Sequence, residues 1–368
     1  MIYFDNAATS YPKPNRVIKE VTKCLRDYCG NPGRSSHTLS VKAADKIFET
    51  RETVTRFLGI KNCENVVFTP NATYALNMVI KGLIKHRTHC IVSDIEHNSV
   101  LRPLDKALKM YGGTYSIFDS DKPLYDVIPP LIENDTEFII CTLCSNVTGK
   151  IINFDQLSDI AKANGLKLIL DASQYIGHKS LDLSKKHYTC VCSAGHKNLF
   201  GIQGSAFAVI NSTDLLDTLT EGGSGIETFS RDMPLLLPER YEAGTLPTPA
   251  IASLNSGINF IEDVGIANVE KHLSSLTETL SYMLREIPHL KIYGVNNGIA
   301  SFNINGYPSS YVAKFLDDYG IATRSGFHCA PLIHEKLNTT SAGTVRVSFS
   351  IFNTEKEIHK FIKVLKKI

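Results

Sequence analysis

This chain has no apolar run approaching the length of a membrane span. It also lacks an excess of one charge. Lys and Arg total 39 against 37 Asp and Glu, a formal net charge of +2, so nothing points to nucleic acid or an anionic membrane. There is no internal repeat and no low-complexity tract. The first strand-like run carries Asp5, unlike the apolar stretch of a secretory leader, and a cytoplasmic location is expected. A disulfide framework is missing as well. The nine cysteines are odd in number and irregularly spaced, which suits free thiols in a reducing compartment. Cys141-Thr142-Leu143-Cys144 has the C-x-x-C form but ends an apolar strand, where side chains three apart face opposite ways. Cys190 and Cys192 share a strand face with no matching His/Cys set nearby. All four are expected to be core cysteines, and no metal is expected.

What is present is an ordinary globular composition, 43% hydrophobic and 21% charged over 368 residues, with length enough for two domains. The chain is organised around Cys192-Ser193-Ala194-Gly195-His196-Lys197. A strand-like run from His187 stops at small residues, a His-Lys pair follows, and Phe200-Gly201-Ile202-Gln203-Gly204 makes a glycine-rich turn. Most lysines in such loops are simply solvated. The alternative is a lysine that binds a carbonyl as a Schiff base, which needs partial desolvation. Upstream, Leu168-Ile169-Leu170-Asp171-Ala172-Ser173-Gln174 is an apolar strand ending in an acid, with a glutamine three residues on. An acid at one strand end and a lysine at the next suit pyridoxal phosphate (PLP), the acid for the ring nitrogen and the amine for the aldehyde.

The elements fall in the following order. Met1 to Phe4 reads as a strand, followed by the small-residue loop Asp5-Asn6-Ala7-Ala8-Thr9. Pro14 opens a helix to about Tyr28; Gly30-Asn31-Pro32-Gly33-Arg34 breaks the chain; Ser40 is expected to cap a helix reaching Phe57. From Asn65 to Ile210 strands and helices alternate. This predicts an α/β fold with a mostly parallel sheet flanked by helices. The polar candidates Asn71, Thr73, His97, Asn146, Asp171, Gln174, His196 and Lys197 nearly all follow strands, the edge of an open α/β sheet where ligands bind. Pro70-Asn71-Ala72-Thr73 also opens a helix, whose free N–H groups suit a phosphate.

A helical tract linking two domains is expected from Ala250 to about Glu286. Strands at Ala300–Ile304, Ala322–Arg324 and Thr344–Phe349, with helices at 309–319 and 354–367, predict a smaller α+β domain. The expected division is 14–255 for the large domain and 1–13 with 256–368 for the small one. Within the latter, Arg324-Ser325-Gly326-Phe327-His328-Cys329-Ala330-Pro331 presents a thiol after a strand. A half-buried structural thiol is one reading. The other is a mobile nucleophile, with His328 and nearby arginines supplying a positive field. Arg346 lies in a strand fit for burial and needs an anionic partner, either a substrate carboxylate or a structural acid.

Together these stretches resemble the class V aminotransferase family of PLP enzymes, and within it the cysteine desulfurases. The carriers are YFDNAATS, NPGRSSH, FTPNATYALN, EHNSV, SNVTG, LILDASQ, SAGHK, RYEAGT, ATRSGFHCAP and VRVSF, in the family's order over nearly the whole chain. The short stretch around Cys329 looks more like the Suf-type subgroup. The resemblance implies the PLP-transferase fold of type I. It implies Lys197 as the lysine on the aldehyde, Asp171 at the ring nitrogen, Gln174 at the ring hydroxyl and His97 stacked on the ring. The phosphate would lie on Ala72, Thr73 and His196, with Thr245 reaching in from the partner of a homodimer. Ala7, Asn146 and Arg346 would bind the substrate, and Cys329 would take its sulfur as a persulfide and pass it to an acceptor protein or small thiol. Selenocysteine lyase, transamination and kynureninase-like cleavage stand as alternatives within the family, and a non-catalytic scaffold outside it. Ala194 and Ala72 stand where many relatives carry hydroxyls, so weaker phosphate anchoring is expected.

Overall fold

The structure is a computed structural model that describes residues 1–33 and 35–368. Arg34, the end of the expected chain break, lies outside the described residues. A seven-stranded sheet organises the larger part of the molecule. Its spatial order is Val66–Thr69, Ala206–Ile210, Cys190–Ala194, Lys167–Asp171, Thr136–Thr142, His89–Ser93, Thr114–Phe118. Neighbours are parallel except at Ala206–Ile210, which runs against both its partners. The expected mostly parallel sheet is found.

Strands covered on both faces bury both sets of side chains, which is why they read as unbroken apolar runs. Successive residues divide between two cores. Cys90, Val92, Phe138, Ile140, Cys190 and Cys192 face one, under the helices Ala72–Leu83 and Asn98–Tyr111. Ile91, Ile139, Cys141 and Val191 face the other, with Thr38–Leu58, Phe154–Ala163 and Thr248–Val264 against it. Cys141, Cys144, Cys190 and Cys192 are all fully buried, as core cysteines should be.

A second sheet is antiparallel throughout, in the order Arg324–Gly326, Thr344–Ser348, Ile299–Ile304, Leu290–Asn296. Helices Ile266–Arg285, Ser309–Asp318 and Glu355–Leu365 accompany it. The first strand, Ile2–Tyr3, pairs in parallel with Ile321–Ala322, and Asp5 bridges to Ser348. The N-terminus is thereby sewn to the second half of the chain.

Several expected elements are redrawn. The second helix starts at Thr38, not after Ser40, because the His37 side chain caps it by accepting from Ser40 N–H; the Ser40 hydroxyl donates instead to Asn31 O at 2.6 Å. The strand before Lys197 begins at Cys190, not His187. The long helical tract is two helices, since Gly265 at φ 83° ends the first. Ala322–Arg324 is two short strands belonging to different sheets.

Candidate active site

Strand ends converge on one cavity at the carboxyl edge of the large sheet. It is lined by Ala7, Ala72, Thr73, His97, Asn146, Asp171, Gln174, His196, Lys197 and Arg346, all named from the sequence. Asp171 ends its strand, is buried, and accepts from Ser173 N–H at 2.9 Å. Two strands hold it in register, against Thr142 on one side and Cys192 on the other.

Lys197 sits on the turn after the adjoining strand. Gly195 N–H donates to Ser205 O at 2.8 Å, and Gly201 N–H returns to Gly195 O at 2.9 Å. A Cβ at Gly195 would meet Ser205 Oγ at 2.6 Å, so the turn closes only with glycine there. The N-terminal loop clamps this turn from above: Ser10 N–H, the Thr9 hydroxyl and the Lys13 ammonium all donate to His196 O. Lys197 faces the cavity. Desolvation lowers the pKa of its amine, with Asp171 opposing and Arg346 and Arg324 assisting.

The Ala72–Leu83 helix points its N-terminus at the cavity. Asn71 caps it by accepting from Tyr74 N–H, which leaves the first-turn N–H groups of Ala72 and Thr73 without intrahelical acceptors. Thr73 Oγ1 lies 2.7 Å from Ser99 Oγ, and Ser99 Oγ lies 2.9 Å from His97 Nδ1. His97 Nδ1 also accepts from Ser99 N–H at 3.0 Å, so a neutral ring carries its proton on Nε2. Burial, and then the Lys197 ammonium, hold His97 down at about 4, and His196 is lowered to about 4 for the same two reasons.

Arg346, which lines the same cavity, is buried, donating to Asp5 Oδ1 at 2.7 Å and to Asn146 O at 3.0 Å. Of the two anionic partners weighed for this arginine, the structure shows the structural acid, Asp5, and the side chain also lines the cavity. Asn146 Nδ2 donates to His328 O at 2.7 Å, and Gln174 Nε2 to Ala7 O at 2.8 Å. Among the described residues, Asn146 Oδ1, Gln174 Oε1 and Arg346 Nε are buried without partners. Three orphaned polar atoms around one cavity call for a polar occupant.

Two named residues lie elsewhere. Thr245 is exposed and does not line this cavity. Cys329 is exposed in an outer groove that shares Thr73, His97 and Ser99 with the inner cavity. Its neighbour His328 faces inward. Both have positive φ, 49° and 57°, unusual for non-glycine residues, and both carbonyls are tied down, His328 O by Asn146 and Cys329 O by Asn98 N–H at 2.7 Å. The expectation that His328 lends a positive field is corrected. Burial and two arginines depress it to about 2, so the ring is neutral, and the positive charge comes from Arg324 and Arg346.

Sequence reasoning did not single out Ser99, Arg324 or Asp5 as site residues. Ser99 and Asp5 stand inside the quoted EHNSV and YFDNAATS stretches; what marks them is contact across the fold, which spacing does not show.

The profile of the family described as Aminotransferase class-V matches residues 2–361. The chain belongs to the class-V aminotransferase family. Similar members include a probable cysteine desulfurase of Methanothermobacter thermautotrophicus, 32% identical over 100% of this chain and 94% of that one. Another, from Pyrococcus abyssi, is 31% identical over 100% and 94%. Among solved structures, the apo cysteine desulfurase of Thermococcus onnurineus NA1 superposes with TM-score 0.92 at 32% identity, covering 100% of this chain and 94% of that one. The architecture of this class-V chain is therefore shared over its whole length with solved members of the family.

Proposed function

We propose that this class-V enzyme is a PLP-dependent cysteine desulfurase that converts L-cysteine to L-alanine and captures the sulfur on Cys329. The observation that carries the reading is the single cavity holding Lys197, Asp171 and the partnerless Arg346 Nε, with the Cys329 thiol one wall away.

The residues present fit the cofactor. Asp171 would meet the ring nitrogen, Gln174 the ring hydroxyl, and Lys197 the aldehyde, with His97 against the ring. The helix N-terminus at Ala72 and Thr73, with His196, would hold the phosphate. Ser99, bonded to Thr73, offers a second hydroxyl where Ala72 has none. Ala194 keeps its deficit: Ser193 Oγ is buried without a partner and does not line the cavity. Bound PLP would supply an electron sink for the charge left at the substrate Cα.

The chain's own groups do the rest. Asn146 and Arg346 orient the substrate carboxylate, with Ala7 beside it. Lys197, with its lowered pKa, takes the proton from Cα and returns one to carbon. The Cys329 thiolate attacks the substrate sulfur, and the Cβ–S pair stays with carbon, which is protonated as alanine forms. Cys329 approaches from the groove that shares Thr73, His97 and Ser99 with the cavity. Thr245, exposed on its own subunit, completes the phosphate cradle of a second copy in a homodimer. The exposed Phe229, Leu235 and Leu236 near that loop suit such an interface.

The test is alanine release from L-cysteine by the PLP-loaded protein. Lys197→Ala should abolish it, while Cys329→Ala should retain PLP yet form no protein persulfide. Sulfur transfer at the normal rate by the Cys329 variant would overturn the reading.

A further inference from the structure

Cys329 opens on a groove of ≈ 410 Å³ between two helices of the large sheet. Thr73, Asn77 and Lys81 form one wall, spaced four apart on the Ala72–Leu83 helix and so in one row along it. Ser99, Arg102 and Lys106 form the other, at spacings of three and four on the Asn98–Tyr111 helix. Among the described residues no acidic side chain lines this groove. Among the described residues no salt bridge engages Lys81, Arg102 or Lys106. The acid on the second helix, Asp105, lies outside the lining and acts on Tyr115 of the sheet.

Basic side chains on surface helices are usually just solvated. Here, however, three cations from two helices converge on one concavity with no acid to neutralise them, and an exposed thiol lies within it. Both helices also begin at the thiol's end, so their N-terminal partial charges add to the same positive field.

We infer that this groove docks an acidic, cysteine-bearing segment of a sulfur-accepting protein. The inference rests on the proposed persulfide at Cys329 and names the partner chemistry of that site. The acceptor thiolate attacks the outer sulfur of the persulfide. A new S–S bond forms on the acceptor, the bond to Cys329 Sγ breaks, and its electron pair leaves with the Cys329 thiolate. No external oxidant or reductant is required. Glutamate and aspartate beside the acceptor cysteine would pair with Lys81, Arg102 and Lys106, steering the encounter and fixing its register.

The experiment uses PLP-loaded enzyme charged with L-cysteine and two synthetic peptides, one with glutamates and one with lysines flanking a single cysteine. Sulfur on each peptide is followed by mass. The acidic peptide should accept about tenfold faster at low salt, and the gap should narrow as salt rises. The double variant Arg102→Glu/Lys106→Glu should reverse the preference while alanine release with dithiothreitol stays within about twofold. Equal acceptance of the peptides, or a preference untouched by charge reversal, would overturn the proposal. Mercaptosuccinate matching the acidic peptide would overturn it in favour of a small anionic thiol. Dissociation of a dimer by the double variant would overturn it in favour of a second copy of this chain. Failure of wild-type enzyme to release alanine would instead strike the proposed function.

Discussion

Arg346 Nη2 lies 2.7 Å from Asp5 Oδ1, joining the strand Thr344–Ser348 to the loop after the first strand. The guanidinium is almost wholly buried, 1% exposed, and its remaining contact is Asn146 O. Asp5 is the charge that keeps it there. Asp5→Ala should cost about 2 kcal/mol, below the 3–5 expected for a fully buried pair because Asp5 is itself partly exposed. It should also raise KM for cysteine, since Arg346 would no longer be aimed at the cavity. Urea unfolding and initial rates check both effects, and Asp5→Asn should fall between.

Lys336 ends the short Pro331–Lys336 helix that follows Cys329. Its ammonium lies 2.7 Å from Asp94 Oδ2, 2.6 Å from Asp119 Oδ1 and 2.6 Å from Asp121 Oδ2, all on loops after strands of the large sheet. Hydrogen bonds from Lys336 are the first cause lowering the pKa of both Asp119 and Asp121. Lys336→Met should leave three carboxylates facing one another and destabilise the fold by about 1–3 kcal/mol at low ionic strength, with partial recovery in salt. With that anchor gone, sulfur transfer to Cys329 should slow while PLP content is unchanged. Thermal melts at two salt concentrations and single-turnover persulfide formation check this.

Acid should unfold the cofactor-free protein early. His97, His178 and His196 are lowered from 6.5 to about 4 by burial, and His328 to about 2. Below pH 6.5 the unfolded chain protonates these rings and the folded one does not, so their stability, complete above 6.5, is lost as pH falls. Each contributes a slope of about 1.4 kcal/mol per pH unit while only the unfolded form is charged. Glu96 works in reverse. Burial raises it from 4.5 to about 7, so its share is complete below 4.5 and is lost as pH rises through 7. Four histidines outweigh one carboxyl. The urea midpoint should drop steeply between pH 6.5 and pH 5; a flat profile would contradict the neutral, buried histidines.

The sequence carried the sheet well because strands covered on both faces are written as apolar runs, and Lys197 and Asp171 stand visibly at the ends of two of them. It carried the Leu290–Asn296 strand badly. That edge strand is half-exposed along most of its length and shows no alternation, so nothing in its pattern separates it from a loop. Gly265 was hidden for a related reason: apolar helical spacing continues on both sides of it, and only its backbone angle reveals the break. Within the cavity, the residues that follow strands were legible. Ser99 was not, because its importance lies in touching Thr73 on another helix. The side from which Cys329 is reached depends on two left-handed residues in succession, His328 and Cys329, a conformation no composition rule anticipates for non-glycine residues.

The most direct test of the account is the mass of the peptide carrying Cys329 after one turnover of PLP-loaded enzyme with L-cysteine and no acceptor. One additional sulfur on Cys329 for each alanine released is the result expected. Alanine released with Cys329 unmodified, or sulfur found on another cysteine, would contradict it.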